Sequence, residues 1–249
     1  MKARRIFAVA ASLLLASGCS STPGPNSSAK DGKTAGLPSP APVLASKYLA
    51  GNAGFTLPDG GSRVAIVAQG PLDIAGAGSS VPLVVRNNTA NPVARVEVAG
   101  SARGSDGKLV SSGSSQGFVP TVVEPGHISL GFVFFQAELP KDAKFDFDVS
   151  SHEPSSPDDP YTALDLDVTE VNQSGRRIVG VVTNTQGRAV KGPLSVLVMC
   201  FESDGRVLGE HSAFAEKDEL AAEASSPFQV DLFDDRCPDY IVGSHGYSD

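Results

Sequence analysis

The chain has 249 residues, with 28 Asp and Glu against 20 Lys and Arg and a net charge of −8. That balance is repelled by phosphate backbones and anionic headgroups, which argues against nucleic-acid binding and against a polybasic membrane patch. With no Trp and 6 % aromatic residues, only Tyr48, Tyr161, Tyr240 and Tyr247 are left beside Phe to offer a ring with a polar edge, which weakens a sugar-stacking reading.

In chain order, Lys2, Arg4 and Arg5 precede an apolar run over 6–16 broken only by Ser12, and Ser17-Gly18-Cys19 follows. A basic start, a short apolar stretch and small residues at its end predict a signal peptide over 1–18. The run is shorter than the about 20 residues that a membrane-spanning helix needs. Leu15-Ala16-Ser17-Gly18-Cys19 resembles the bacterial lipobox, with Ala16 standing where Leu is commoner. The resemblance implies cleavage between Gly18 and Cys19 and two or three acyl chains on the mature Cys19. Each buried methylene contributes about 0.8 kcal/mol, so two chains anchor stably. The alternative is an ordinary secretory peptide with a chance Cys. Arg4-Arg5-Ile6-Phe7 leaves the export route open between the general and the twin-arginine pathways. Losing residues 1–18 would remove three basic and no acidic residues, moving the net charge from −8 to −11.

The next segment, as in Ser20-Ser21-Thr22-Pro23-Gly24-Pro25, is Ser, Pro, Gly and Ala without apolar period. It cannot bury enough to offset its chain entropy, so 19–49 is expected to be a disordered tether spanning on the order of 30 Å. Beyond it, apolar runs at 64–67, 81–85, 93–98, 128–135 and 145–149 read as short strands, punctuated by Asn87-Asn88, Asp106-Gly107 and Pro125-Gly126. Residues 151–160, rich in Pro, Ser and Asp, read as a linker. Further strands are expected at 164–168, 178–182, 194–201, 206–208, 228–233 and 240–242.

The halves can be laid over one another. A strand, an Asn-Thr turn at Asn88-Thr89 or Asn184-Thr185, a strand, an Asp-Gly turn at Asp106-Gly107 or Asp204-Gly205, and another strand recur in order. The prediction is all-β: two Ig-like β-sandwich domains in tandem, at 50–150 and 161–249, after the signal peptide and tether. In the second copy Gly180-Val181-Val182-Thr183-Asn184-Thr185, then Val190, the strand 194–201, and Ser203-Asp204-Gly205-Arg206 resemble the FxLYD-type module. That is a small Ig-like sandwich of prokaryotic surface lipoproteins. The resemblance covers about 164–243; of its namesake stretch, at Val198-Met199-Cys200-Phe201-Glu202, only the aromatic and the acid are kept in kind. It implies a fold and a surface location, and no general activity.

With Cys19 taken by lipid, Cys200 and Cys237 remain, and in an exported chain they are expected to form a disulfide. No catalytic residue, metal site or cofactor is expected. Gly113-Ser114-Ser115-Gln116-Gly117 matches G-x-S-x-G in loop-like surroundings, without the strand-then-helix context of a nucleophile elbow. Ser27-Ser28-Ala29-Lys30 matches S-x-x-K inside the tether. His127, His152, His211 and His245 show no metal-ligand spacing. Asp231, Asp234, Asp235 and Asp239 read as a solvated edge, with calcium as the alternative. Asn87-Asn88-Thr89 and Asn172-Gln173-Ser174 match glycosylation sequons and read as turn residues. The functional expectation is a non-catalytic binding or structural module on the exported side of the cell membrane or outer membrane. It has a protein partner at the envelope and no nucleic acid. The alternative is a hydrolase acting on cell-envelope polymers.

Overall fold

The computed structural model describes residues 38–61, 63–76, 78–154 and 163–248, and these contain strands and no helix. The signal peptide, Gly18, Cys19, Ser27, Lys30 and most of the tether lie outside the described residues, as do 155–160 of the linker.

After β1 (Leu49–Gly51), the first half carries β2 (Val64–Gln69), β3 (Asp73–Ala75), β4 (Gly78–Asn87), β5 (Val93–Arg103), β6 (Leu109–Val119), β7 (Val122–Val123), β8 (Ile128–Phe135) and β9 (Lys144–His152). The second carries β10 (Ala163–Ser174), β11 (Arg177–Thr183), β12 (Val190–Phe201), β13 (Val207–Phe214), β14 (Glu219–Leu220), β15 (Ser225–Asp231) and β16 (Asp239–Tyr247). All ladders are antiparallel, in two eight-stranded sheets.

The same pairings occur in both halves. β4 pairs β2 and β8, as β11 pairs β10 and β15. β5 pairs β6, β7 and β9, as β12 pairs β13, β14 and β16. The β6–β8 ladder shrinks in the second half to one bridge, Ala215 to Phe228. In the second half β10 turns from β16 over 163–166 to β11 over 167–174, with a bulge between Thr169 and Asn172, so one strand serves both faces.

Burial explains which strands were written as continuous apolar runs. Val81, Leu83 and Val85 of β4 enter a core shared with Val96, Val98, Val133 and Phe135. Val196, Val198 and Cys200 of β12 enter a second core with Leu166, Ile178, Val230 and Val242. The other faces of these strands are covered too. Val84, Ile128 and Leu130 from the first half meet Leu197, Met199, Phe201 and Ile241 from the second in a third cluster. Strands buried on both faces have no reason to alternate. β5 does alternate, because one of its faces is wet. The described residues all belong to one compact unit.

Two turn devices recur with the pairing. Asn87 is fully buried; its amide donates to the Asn91 and Val123 carbonyls at 2.8 Å each, and its Oδ1 accepts the Thr89 N–H. Asn184, also fully buried, donates to Arg188 (2.7 Å), Leu220 (2.9 Å) and Ala221 (3.1 Å), and accepts the Gln186 N–H. The structural counterpart of Asn184 is therefore Asn87, not the neighbouring Asn88 of the sequence overlay. Asn88 instead donates to the Arg63 carbonyl. In the Asp-Gly turns, Asp106 and Asp204 each accept the N–H two residues on, and Gly107 and Gly205 take φ of 78° and 86°.

Two expectations are corrected. The Gly- and Ser-rich stretch around 110–117 is not a loop but the middle of β6, hydrogen-bonded to β5 and β8. Its small residues answer to close packing: a Cβ on Gly113 would lie 2.5 Å from the Phe134 carbonyl oxygen and 2.7 Å from the Phe135 ring. The tether is not free through residue 49. Val43, Leu49 and Leu57 are buried in the cluster between the halves, and β1 extends the second sheet along β16. Arg86, 1 % exposed, holds this strap by donating to the carbonyls of Gly126 (2.9 Å), Leu57 (3.2 Å) and Ala41 (3.5 Å). Burial lowers the pKa of this guanidinium, and Asp59 opposes the shift. At the expected linker, Ser151 and His152 still belong to β9.

Asp165 locks the halves from the other side. Its carboxylate, 4 % exposed, accepts the Thr121 N–H at 2.8 and 3.0 Å and the Thr121 hydroxyl at 3.0 Å. Burial raises its pKa to about 6, against the pull of the Thr121 and Val122 donors and Lys47. The folded chain thus holds this proton more tightly than the unfolded one, so the contribution is favourable in acid and is lost as pH rises from about 4 to about 6. The loss amounts to about 3 kcal/mol. Asp165→Asn removes that dependence: its stability relative to the parent should rise by about this amount between about pH 4 and about pH 7 in urea titrations. A flat difference would contradict the assignment.

Candidate binding cleft

The disulfide expected from the sequence is present. Cys200 and Cys237 are bonded across 37 residues with Cα atoms 4.8 Å apart, inside the core of the second half. It pins the segment between β15 and β16 to β12. In that segment Leu232 is buried, its N–H bonded to the Arg176 carbonyl, and the Asp235 N–H closes a turn on the Leu232 carbonyl. Phe233 sits within that turn at φ 52°, in the left-handed region that non-glycine residues seldom occupy, with its ring 73 % exposed.

This segment walls a cleft of about 550 Å³ between the halves, with Leu72, Asp73 and Pro82 on one side and β13 on the other. Over 208–212 β13 has β12 on one edge only, so both of its faces reach the cleft. Glu210 lies opposite Met199, toward the other half; His211 lies opposite Val198, toward the second core. Period two on an edge strand thus puts neighbouring residues on two walls of one cavity.

The chemistry of the cleft is set by burial. Glu210 Oε2 is buried without a hydrogen-bond partner. Burial first, and the charge of Asp73 second, raise the Glu210 pKa to about 7. The His211 side chain is 8 % exposed, and its Nε2 stands 3.5 Å from Asp235 Oδ2, beyond a well-formed hydrogen bond. Burial lowers the His211 pKa, opposed by Asp235 and Asp73. Asp231, also on the wall, is neutralised by Arg177, whose Nε donates to it at 2.7 Å.

The remaining sequence candidates fall elsewhere. Asp234 pairs with Arg176 and Asp239 lies in β16 opposite Phe201, so the acidic run is spread over different partners. Among the described residues no three His, Cys, Asp or Glu side chains are placed to hold a metal ion. Ser115 of the G-x-S-x-G match accepts the Val98 N–H, a bond that holds β6 to β5. His127 sits in the turn before β8 and His152 in β9. His245 stacks edge-on to Tyr247 beside a second cavity of about 420 Å³ that also reaches Phe118 and Val122. Asn172 of the second sequon bonds to the Glu170 carbonyl.

Glu210, Asp73, Asp165 and Arg86 were not singled out from the sequence. Glu210, Asp165 and Arg86 are charged residues whose burial depends on the other half of the chain or on the strap, and Asp73 is an exposed acid whose place on the cleft depends on the other half, so strand periodicity carries no sign of them. The described residues define an all-β protein of two packed sheets with an acidic cleft at their junction. No protein-family model and no curated protein matches the chain.

Proposed function

We propose that the chain is an exported bacterial lipoprotein, held to the envelope by acyl chains on Cys19, whose two joined FxLYD-like repeats act as a non-catalytic binding or structural module. The observation that carries this reading is the Cys200–Cys237 bridge. Disulfides persist in oxidising compartments, and a basic, apolar and small-residue leader ending in Ser17-Gly18-Cys19 supplies the export route and the anchor. The expected partner is a protein at the envelope, met through the cleft or the open edge of β13.

The test is Cys19→Ala. The parent should fractionate with membranes and enter the detergent phase; the variant should leave it and keep its leader. A variant that stays membrane-bound and is processed to the same mature length as the parent removes the proposal.

One observation favours the second reading, a hydrolase of envelope polymers: His211 and Glu210 share a cleft with displaced pKa values. Under the first reading, purified protein releases no fragments from isolated envelope polymer. Release that disappears in His211→Asn would favour the hydrolase.

A further inference from the structure

We propose that the junction cleft binds an organic cation, an alkylammonium or guanidinium group, seated between Glu210, Asp73 and the Phe233 ring. This deepens the binding-module reading and rests on it. A buried acceptor lines the cleft without a partner, Glu210 Oε2, beside the His211 side chain, which is only 8 % exposed. A buried polar atom left unpaired is costly, and a ligand rich in N–H donors would satisfy it.

The charges around them select the sign of that ligand. Asp73 on β3 and Glu210 on β13 face the same cavity, close enough for Asp73 to raise the Glu210 pKa. The other ionisable groups on the walls are Asp231, already paired with Arg177, and Asp235, beside His211. Burial disfavours the charged form of His211, which weakens it as a competing cation. The uncompensated charge is negative. Phe233 adds an exposed ring at the rim, held outward by the turn pinned beside the disulfide, and a ring face attracts cations. The about 550 Å³ of space suits a side-chain-sized group. A bare metal ion fits less well, since the described residues do not converge three ligands.

Binding is linked to a proton. With the Glu210 pKa raised to about 7, an arriving cation displaces a proton from a half-protonated acid. Affinity should therefore fall about tenfold between about pH 8 and about pH 6, and the binding enthalpy should vary with the ionisation enthalpy of the buffer.

The test is isothermal titration calorimetry on the full chain in about 150 mM salt, where diffuse surface attraction is screened. One probe is spermidine, a free polyamine; the other is a short lysine-containing peptide. Saturable one-to-one binding, weakened at least tenfold in Glu210→Gln and in Asp73→Asn, is the expected result. Spermidine binding would assign the site to free amines, and binding of the peptide alone would assign it to a basic segment of a protein partner. No saturable heat from either probe, an affinity unchanged in both variants, or an affinity flat with pH overturns the proposal. Asp73 is exposed, so its variant keeps the test valid should Glu210→Gln disturb folding. Failure here leaves the anchor at Cys19 untouched, because that is read from membrane fractionation and not from the cleft.

Discussion

Asn184→Ala should lower the stability of the folded chain by roughly 3–5 kcal/mol, and Asn87→Ala by a similar amount. Neither effect is a cavity effect, because an amide is small. Each side chain is fully buried and closes a turn against carbonyls: Arg188, Leu220 and Ala221 for Asn184, Asn91 and Val123 for Asn87. The Ala221 carbonyl also accepts the Ala224 N–H and the Asn91 carbonyl the Thr89 hydroxyl, so removing the amide costs most at the others, about 1–3 kcal/mol for each one left without a donor or water. The bonded carbonyls lie in sequence-distant segments, so the amide also ties β14 to the β11–β12 turn, as Asn87 ties β7 to the β4–β5 turn. Asp at either position should be no better than Ala, since a carboxylate keeps the acceptor and loses the donors. Asn88→Ala, which loses one bond to the Arg63 carbonyl, serves as the control at about 1 kcal/mol. Urea unfolding of the five variants checks the ranking; equal losses at Asn87 and Asn88 would contradict it.

Breaking the disulfide should cost about 4 kcal/mol in the chain-entropy view, given the 37-residue separation it closes. The Cys200→Ala, Cys237→Ala double variant should unfold at lower denaturant than the parent and become insensitive to reductant, whereas the parent with reductant should match it. The local consequence is sharper than the global one. Both sulfurs are buried in the core of the second half, and the bridge fixes one wall of the cleft, including Phe233 and Asp235. Loss of cation binding on reduction, below the unfolding transition, would show that the bridge shapes the cleft; retention of full affinity would show that the wall stands without it.

How far the sequence could be read follows from which neighbours each residue meets. The strands at 64–69, 78–87, 128–135 and 190–201 were legible because their apolar side chains stand in sequence whether one face or two are buried. β6 was not, because its fit between β5 and β8 demands Gly and Ser, which carry the texture of a loop. The doublet Asn87-Asn88 hid which amide is the counterpart of Asn184; only burial separates them. Asp165, in the alternating stretch 164–168, reads as a solvent-facing residue, and it is solvent-facing until the first half covers it with Thr121. The strap was illegible for the same reason. Val43 and Leu49 are two apolar residues in a polar stretch, and their burial exists only in the groove between the halves. The cleft belongs to this class: Asp73 and Glu210 lie 137 positions apart, and nothing local couples them.

The repeat, by contrast, was visible in outline because turns are local. Asp-Gly turns at 106–107 and 204–205 need positive φ at Gly wherever they occur, and the strands they join have to pair. What the overlay of turns did not contain was the shared apolar cluster that makes the halves one compact unit.

The anchor is tested most directly by mass spectrometry of the mature N-terminal peptide purified from membranes. The account predicts a chain that begins at Cys19 and carries a thioether-linked diacylglyceryl group. A chain whose first residue lies elsewhere, or a Cys19 peptide of unmodified mass, would contradict it.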